Sequence, residues 1–404
     1  MSLGKKISNF ASSKTKEPMI KLSLPHLAGK EQEYVSNAIA STWIVPLGPY
    51  VDEFEKRLDF YLGAGNAVAL SAGTAAIHLG LVMAGVKPGD EVICQSLTFA
   101  ASCNPIVYLG ATPVFIDSEK DTWNMDPAIL EEAITDRLRL TGKLPAAIVA
   151  VHLYGMPAKM EEIMAIASRY GIPVVEDAAE ALGSDYKGRK CGTIGDFGVL
   201  SFNGNKIITT SGGGALICST LEEASRVRFL ATQARENRPY YYHETIGYNY
   251  RLSNVSAAIG CAQIEELPQR VDRRRQIHAL YKSELSDIAG ITVHDNPTDE
   301  IRSNFWLSTI LIDKEHTGKT PDDVRLALLE KGIETRLLWR PMNMQPIYKG
   351  APFYTSTPTT GEDATGGVGE WLFDRGLCLP SGSSLTDNEV ATVIDALKEV
   401  LNHE

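Results

Sequence analysis

The sequence predicts an α/β protein built on a mainly parallel sheet, followed by a smaller C-terminal α+β domain. Short apolar runs alternate with helical patterns from Ala67 to Ser219. Several runs, AAIVAV and IPVVE among them, are apolar at successive positions, the pattern of strands covered on both faces. At 404 residues, the chain exceeds the ~250–300 at which a single core stops growing, so two domains are expected.

Residues 1–19, a polar stretch, read as a flexible N-terminal arm without the apolar core of a secretory signal. Residues 20–254 read as the large domain. Its candidate strands are Ala67–Leu70, Glu91–Gln95, Thr112–Asp117, Ala146–His152, Ile172–Glu176, Gly198–Phe202 and Gly214–Ser219. A helix is expected over Lys159–Tyr170, stopped by Gly171 with Pro173 beyond it. Residues 255–404 read as the small domain. It opens with a long amphipathic helix from Val255 to Ser286 that carries Arg270, Arg273, Arg274 and Arg275, a charge run expected on a solvated face. A strand-like Phe305–Ile312 and a helix near Asp322–Lys331 follow, and Thr386-Asp-Asn-Glu389 is a capping box for a last helix. Thr355–Gly369, rich in Thr, Gly and Pro, reads as a long mobile loop.

Composition narrows the function classes. The net charge is −11, from 39 basic and 50 acidic residues, which is the wrong balance for a nucleic-acid binder. The six cysteines are scattered without a CxxC pair, so neither a disulfide framework nor a metal site is expected. No apolar stretch approaches the ~18 residues of a membrane helix, and a cytoplasmic protein is expected.

Three segments carry the chemistry. Ser71-Ala-Gly-Thr74 follows a strand-like run and opens a helix, where free N–H groups suit a phosphate; Thr74 could equally be a plain helix cap. Asp177, in VVEDAAE, lies at the carboxyl end of a buried strand, where α/β folds place ligands; it could also be an N-cap. Lys206, in SFNGNK, follows a strand and precedes a glycine-rich turn. In that order, a phosphate turn, a strand-end acid and a lysine are what a pyridoxal 5'-phosphate site requires. The lysine forms a Schiff base, the carboxylate keeps the pyridine nitrogen protonated, and the turn holds the phosphate.

These motifs resemble the fold-type I, DegT/DnrJ/StrS-type aminotransferases that act on nucleotide-linked keto sugars. The likeness runs from about Ile20 to the carboxyl terminus, through Ser71–Ala76, Gln95–Ala101, Glu176–Ser184, Ser201–Gly214 and Gly247–Asn254. The wording SFNGNKIITTSGGG and TQARENRPYYYHETIGYNYRLSN is most similar to the branch that aminates a UDP-linked 4-keto-6-deoxy-N-acetylglucosamine on the way to bacillosamine.

The resemblance implies that Lys206 is the catalytic lysine and proton shuttle, with Asp177 at the ring nitrogen. It implies that Thr74, Ser201 and the N–H of Gly73 hold the cofactor phosphate, and that Asn203 belongs to the same site. Phe99 would stack on the ring, if it is not simply a core residue, and Glu180 would stand near the ring hydroxyl. Asn249 would reach the cofactor of a neighbouring subunit, making a homodimer with shared sites, unless it is only a turn residue.

Arg235 and Arg336 are candidates for the acceptor's phosphates or the carboxylate of the donor, expected to be glutamate; structural ion pairs are the other reading. Two departures stand out: Asn343 replaces a histidine common in relatives, and Leu337 a proline. Other acceptors remain open, a 3-keto sugar or one on dTDP or GDP. So do a sugar dehydratase, which would carry histidine in place of Lys206, and a non-catalytic regulator.

Overall fold

The computed structural model describes residues 19–63, 66–356 and 366–402. The expected arm over residues 1–19 lies outside the described residues except Met19. So does the centre of the loop expected over Thr355–Gly369.

In chain order, the strands that build the two main sheets are β1 (Ala67–Leu70), β2 (Glu91–Gln95), β3 (Thr112–Ile116), β4 (Ala147–Val151), β5 (Val174–Asp177) and β6 (Phe197–Ser201). They continue with β7 (Gly214–Cys218), β8 (Ile291–Val293), β9 (Ser308–Ile312), β10 (Arg336–Leu337), β11 (Phe353–Tyr354) and β12 (Gly376–Leu379). The large sheet has eight strands in the order β1-β7-β6-β5-β4-β2-β3-β11, and within it β7 alone runs against the rest.

Alternation explains the apolar runs. In β4, Ala147, Val149 and Val151 enter one core while Ile148 and Ala150 enter the opposite one. A strand buried on both faces has no position to spare for a polar side chain. The parallel strands therefore bring their carboxyl ends to one edge, where polar residues reappear. The order reverses between β2 and β4, and such reversals are where open α/β sheets bind ligands.

The small sheet, β8-β9-β12-β10, is antiparallel throughout. It packs on helices Leu267–Leu285, Pro321–Glu330 and Asp387–Asn402 through Ile277, Tyr281, Val324, Leu328, Val393 and Leu397. The capping box at Thr386 forms: the Thr386 N–H donates to Glu389 at 2.8 Å, and the Glu389 N–H donates to Thr386 Oγ1 at 3.2 Å.

Three expectations need correction. The single helix expected from Val255 to Ser286 is two, Asn254–Glu265 and Leu267–Leu285, because Pro268 at the start of the second cannot donate to the first. The first of these helices shares a core with the large sheet's own helices, Ala257 and Cys261 meeting Val51, Phe54 and Leu58. A boundary at residue 255 thus falls inside one packed unit, and β11 also returns to the large sheet beside β3. Finally, Arg270 and Arg274 are not on a solvated face: they are 4% and 1% exposed. Their helix passes from one core, at Val271, to the other, at Ile277, and is covered where it crosses.

Candidate active site

At the carboxyl edge of the large sheet lies a cavity of about 290 Å3, and the lysine, the strand-end acid and the uncapped helix start all face it. Gly73, Thr74, Phe99, Asp177, Glu180, Ser201, Asn203 and Lys206 line it, so eight predicted residues from four separate segments meet there.

One wall is the start of helix Gly73–Met83. Its N-cap is Ala72, in extended conformation, which offers no side-chain acceptor. Thr74 is therefore not a cap, and the first-turn N–H groups are left for an anion. Ser201 ends β6 directly opposite. A Cβ on Gly73 would lie 3.0 Å from the Cβ of Ser201, so any larger residue there would push Ser201 aside by a few tenths of an ångström.

Asp177 ends β5 and is buried. Its Oδ2 accepts from Ser102 Oγ at 2.7 Å, and its Oδ1 accepts from the Ala179 N–H at 3.1 Å. Ser102 is in turn hydrogen-bonded to Thr98 at 2.8 Å. Burial pushes the Asp177 carboxyl up from its ordinary range, against the pull of Ser102, the Ala179 N–H, Lys206 and His152. The cavity thus holds an acid short of positive charge, the surroundings that suit a cationic ring nitrogen.

Lys206 Nζ donates to Glu180 Oε1 at 3.1 Å and lies 4.2 Å from the centre of the Trp306 ring. Glu180 is fixed by the Tyr154 N–H at 2.8 Å, and burial raises its carboxyl too, with Lys206 opposing. Phe99 is 55% exposed at the mouth, tilted against Trp339 with ring centres 5.3 Å apart, so it is not a core phenylalanine.

The remaining predicted residues lie elsewhere. Asn249 is exposed, bridged to Thr232 on the surface and away from this cavity. Arg235 is exposed with its guanidinium 4.2 Å from the Tyr241 ring centre. Arg336 faces an adjoining cleft of about 670 Å3 that shares Phe99, Asn205, Trp306 and Trp339 with the first. It pairs with Glu334 at 2.8 Å yet stays 68% exposed. Asn343 accepts from Ser96 Oγ at 2.5 Å and reaches neither cavity. Sequence reasoning missed Ser102, Trp306 and Trp339. Ser102 carried a signal, a hydroxyl directly after the LTFAA motif; the tryptophans sit in unrelated segments that only the fold brings together.

These residues fit pyridoxal phosphate: a lysine whose side chain is only 12% exposed, a buried acid, free helix N–H groups and a glycine facing Ser201. A family model of DegT/DnrJ/EryC1/StrS aminotransferases matches residues 25–398. The chain belongs to this aminotransferase family.

Like other DegT/DnrJ/EryC1/StrS proteins, it is a pyridoxal-phosphate-dependent sugar aminotransferase of nucleotide-sugar biosynthesis. It is 50% identical over 378 residues to EpsN of Bacillus subtilis strain 168, a protein provisionally named a pyridoxal phosphate-dependent aminotransferase; the match covers 94% of this chain and 95% of EpsN. It is 38% identical over 384 residues to the GDP-perosamine synthase of Caulobacter vibrioides, covering 95% and 99% of the two chains. Among solved structures, DesI in the presence of its TDP-sugar product superposes with a TM-score of 0.82 at 30% identity, covering 97% of this chain and 95% of DesI.

Proposed function

We propose that the enzyme moves an amino group from glutamate to C4 of a UDP-linked 4-keto-6-deoxy-N-acetylhexosamine, with Lys206 as its catalytic lysine. The observation that carries the catalytic part is the facing of Lys206 and buried Asp177 across one cavity whose third wall is an uncapped helix start.

When bound, the cofactor supplies a sink for the electron pair released at the amino carbon. Asp177, buried at the strand end, would hold the proton on the ring nitrogen that makes the sink effective. Gly73, Thr74 and Ser201 would hold the phosphate, and Phe99 would lie against the ring. Lys206 moves the proton at the carbon that gains or loses the amine, since a freed lysine amine is the nearest base. Glu180 steers that amine, being within hydrogen-bond reach of Nζ at 3.1 Å.

The adjoining cleft is the candidate place for the acceptor, with Arg336 and Arg325 on its wall to meet its diphosphate. Relatives bearing GDP- and TDP-sugar names support a nucleotide sugar as the acceptor class. The UDP and acetamido parts rest on the wording around Lys206 and Gly247–Asn254. The active unit is a homodimer in which Asn249 serves the neighbouring site, in keeping with its exposure away from its own cavity.

The test is a panel of nucleotide-linked 3-keto and 4-keto sugars offered to purified holoenzyme with glutamate. The UDP-linked 4-keto N-acetylhexosamine should turn over at least about tenfold faster than dTDP- or GDP-linked sugars lacking the acetamido group, a modest gap of ~1.4 kcal/mol. Equal rates, or a faster GDP-linked sugar as the perosamine synthase likeness would favour, overturn the acceptor assignment.

A further inference from the structure

The buried arginines that correct the sequence reading stand one helical turn apart beside a second, smaller cavity. Arg274 has partners: Nη1 donates to the carbonyls of Trp306 and, at 2.9 Å, Ser381, and Nη2 donates to Ser23 Oγ at 3.0 Å. Among the described residues Arg270 has none for two of its donors, since Nε and Nη1 are buried without a hydrogen-bond partner. A guanidinium stays charged wherever it is placed, so a buried one calls for a counter-charge.

The acids near enough to act through space are Glu31 and Glu266, and neither bonds to Arg270. Glu31 is spent on the N–H groups of Ala28 at 2.6 Å and Gly29 at 2.9 Å and on the Gln263 amide. Arg273, the next basic residue, is committed to Asp387 at 2.8 Å. The excess charge is felt next door, where burial and then Arg270 hold the Arg274 guanidinium down at about 9.

Arg270 lines a cavity of about 180 Å3 together with His26, Gln269, Arg273, Ser383 and one carboxylate, Glu266. Donors predominate on its wall. It is about a quarter of the size of the cleft of about 670 Å3 assigned to the acceptor, which suits a far smaller ligand than a sugar nucleotide.

We propose that this cavity binds a small oxyanion of phosphate size, drawn by the uncompensated guanidinium of Arg270 and hydrogen-bonded by Gln269 and Ser383. An oxyanion is favoured over a halide, because separate donors on the wall can meet separate oxygens at once. The site lies outside the catalytic cavity but is joined to it: Arg274 holds the carbonyl of Trp306, whose ring stands over Lys206. A bound anion neutralises the charge beside Arg274 and firms this junction.

The experiment uses cofactor-loaded enzyme, so that the cofactor's own phosphate occupies the catalytic turn. Inorganic phosphate is titrated by calorimetry and thermal melting, with chloride at matched ionic strength as the control. Phosphate should bind saturably and raise the melting temperature, since a ligand of the native state stabilises it, while chloride should not. Arg270→Gln should weaken phosphate binding by about tenfold or more, and Ser383→Ala, which leaves the buried charge in place, by about two- to tenfold. Tungstate soaked into wild-type crystals should give anomalous density against Arg270, a readout that needs no variant. Phosphate responses that are the same in the wild type and both variants, chloride acting as well as phosphate, or no density at Arg270 would each overturn the proposal.

Discussion

At the end of β5 two carboxylates stand side by side and point to opposite faces of the sheet, as consecutive strand residues must. Both are buried. Glu176 accepts from His152 Nε2 at 2.8 Å and from the N–H groups of Gly192 at 2.6 Å, Ile194 at 2.7 Å and Gly195 at 2.8 Å. The Ala158 N–H donates to His152 Nδ1 at 2.9 Å, so a neutral ring carries its proton on Nε2, toward Glu176. Burial alone would push the Glu176 carboxyl up, but His152 and the backbone donors outweigh it and hold it below its ordinary range. Among the described residues Asp177 accepts hydrogen bonds from Ser102 and the Ala179 N–H alone, and there burial wins even against the added pull of Lys206 and His152. The same desolvation thus gives a structural anchor on one face and a group with unspent charge on the other. The number of donors decides which.

The comparison breaks most sharply in activity. Asp177→Asn should lower kcat/KM by about 100- to 10,000-fold, the range expected when a charge tuned to the reaction is lost. The variant should fold. A raised folded pKa means that Asp177's contribution to stability is present at low pH and lost as pH rises through that pKa. Near neutrality the cofactor-free Asp177→Asn protein should therefore melt no lower than the wild type. Glu176→Gln should behave in the reverse way. Its lowered pKa contributes stability above the unfolded value, lost as pH falls through the folded one, so removing it should cost roughly 1.5–3 kcal/mol near neutrality. Chemical unfolding of the two variants, read beside steady-state rates, checks both; equal stability losses would erase the distinction.

Ser102→Ala sharpens the same point at lower amplitude. Removing a donor to the ionised form raises the Asp177 carboxyl further. The acid limb of the kcat/KM profile should move to higher pH with the alkaline limb unmoved; an unchanged acid limb would detach Ser102 from Asp177. The smallest effect is expected at Glu180, which steers Lys206 without bonding to it covalently. Glu180→Gln keeps a hydrogen-bond acceptor, and should cost about tenfold in kcat. Full loss of activity there would make Glu180 more than a guide for the lysine.

Much of the site was legible because its order along the chain is itself chemical: a phosphate turn, a strand-end acid and a lysine after the next strand. Parallel strands place those segments at one edge whatever lies between them, so Lys206 and a strand-end acid could be brought to one cavity from the sequence, while the resemblance added Gly73 and Ser201. Strand-end position alone does not tell Asp177 from Glu176, since both acids end one apolar run; the resemblance singled out Asp177, and the loop at Gly192–Gly195 separates their surroundings. Trp306 and Trp339 left no trace, coming from distant segments by tertiary packing. The arginines at 270 and 274 misled for the same reason. A charge run reads as solvated until a second core closes over it, and neither core's closure is written in the helix itself. The break at Glu266 was legible in Pro268, but the continuous amphipathic pattern outweighed it.

The central claim is that Lys206 holds the cofactor and does the proton transfer opposite Asp177. Borohydride reduction of the holoenzyme, followed by peptide mapping, tests it most directly. The cofactor should be found on the peptide containing Lys206 and absent from a folded Lys206→Ala protein, which should have no measurable turnover. Label on another lysine, or near-normal amination by Lys206→Ala, would contradict the account.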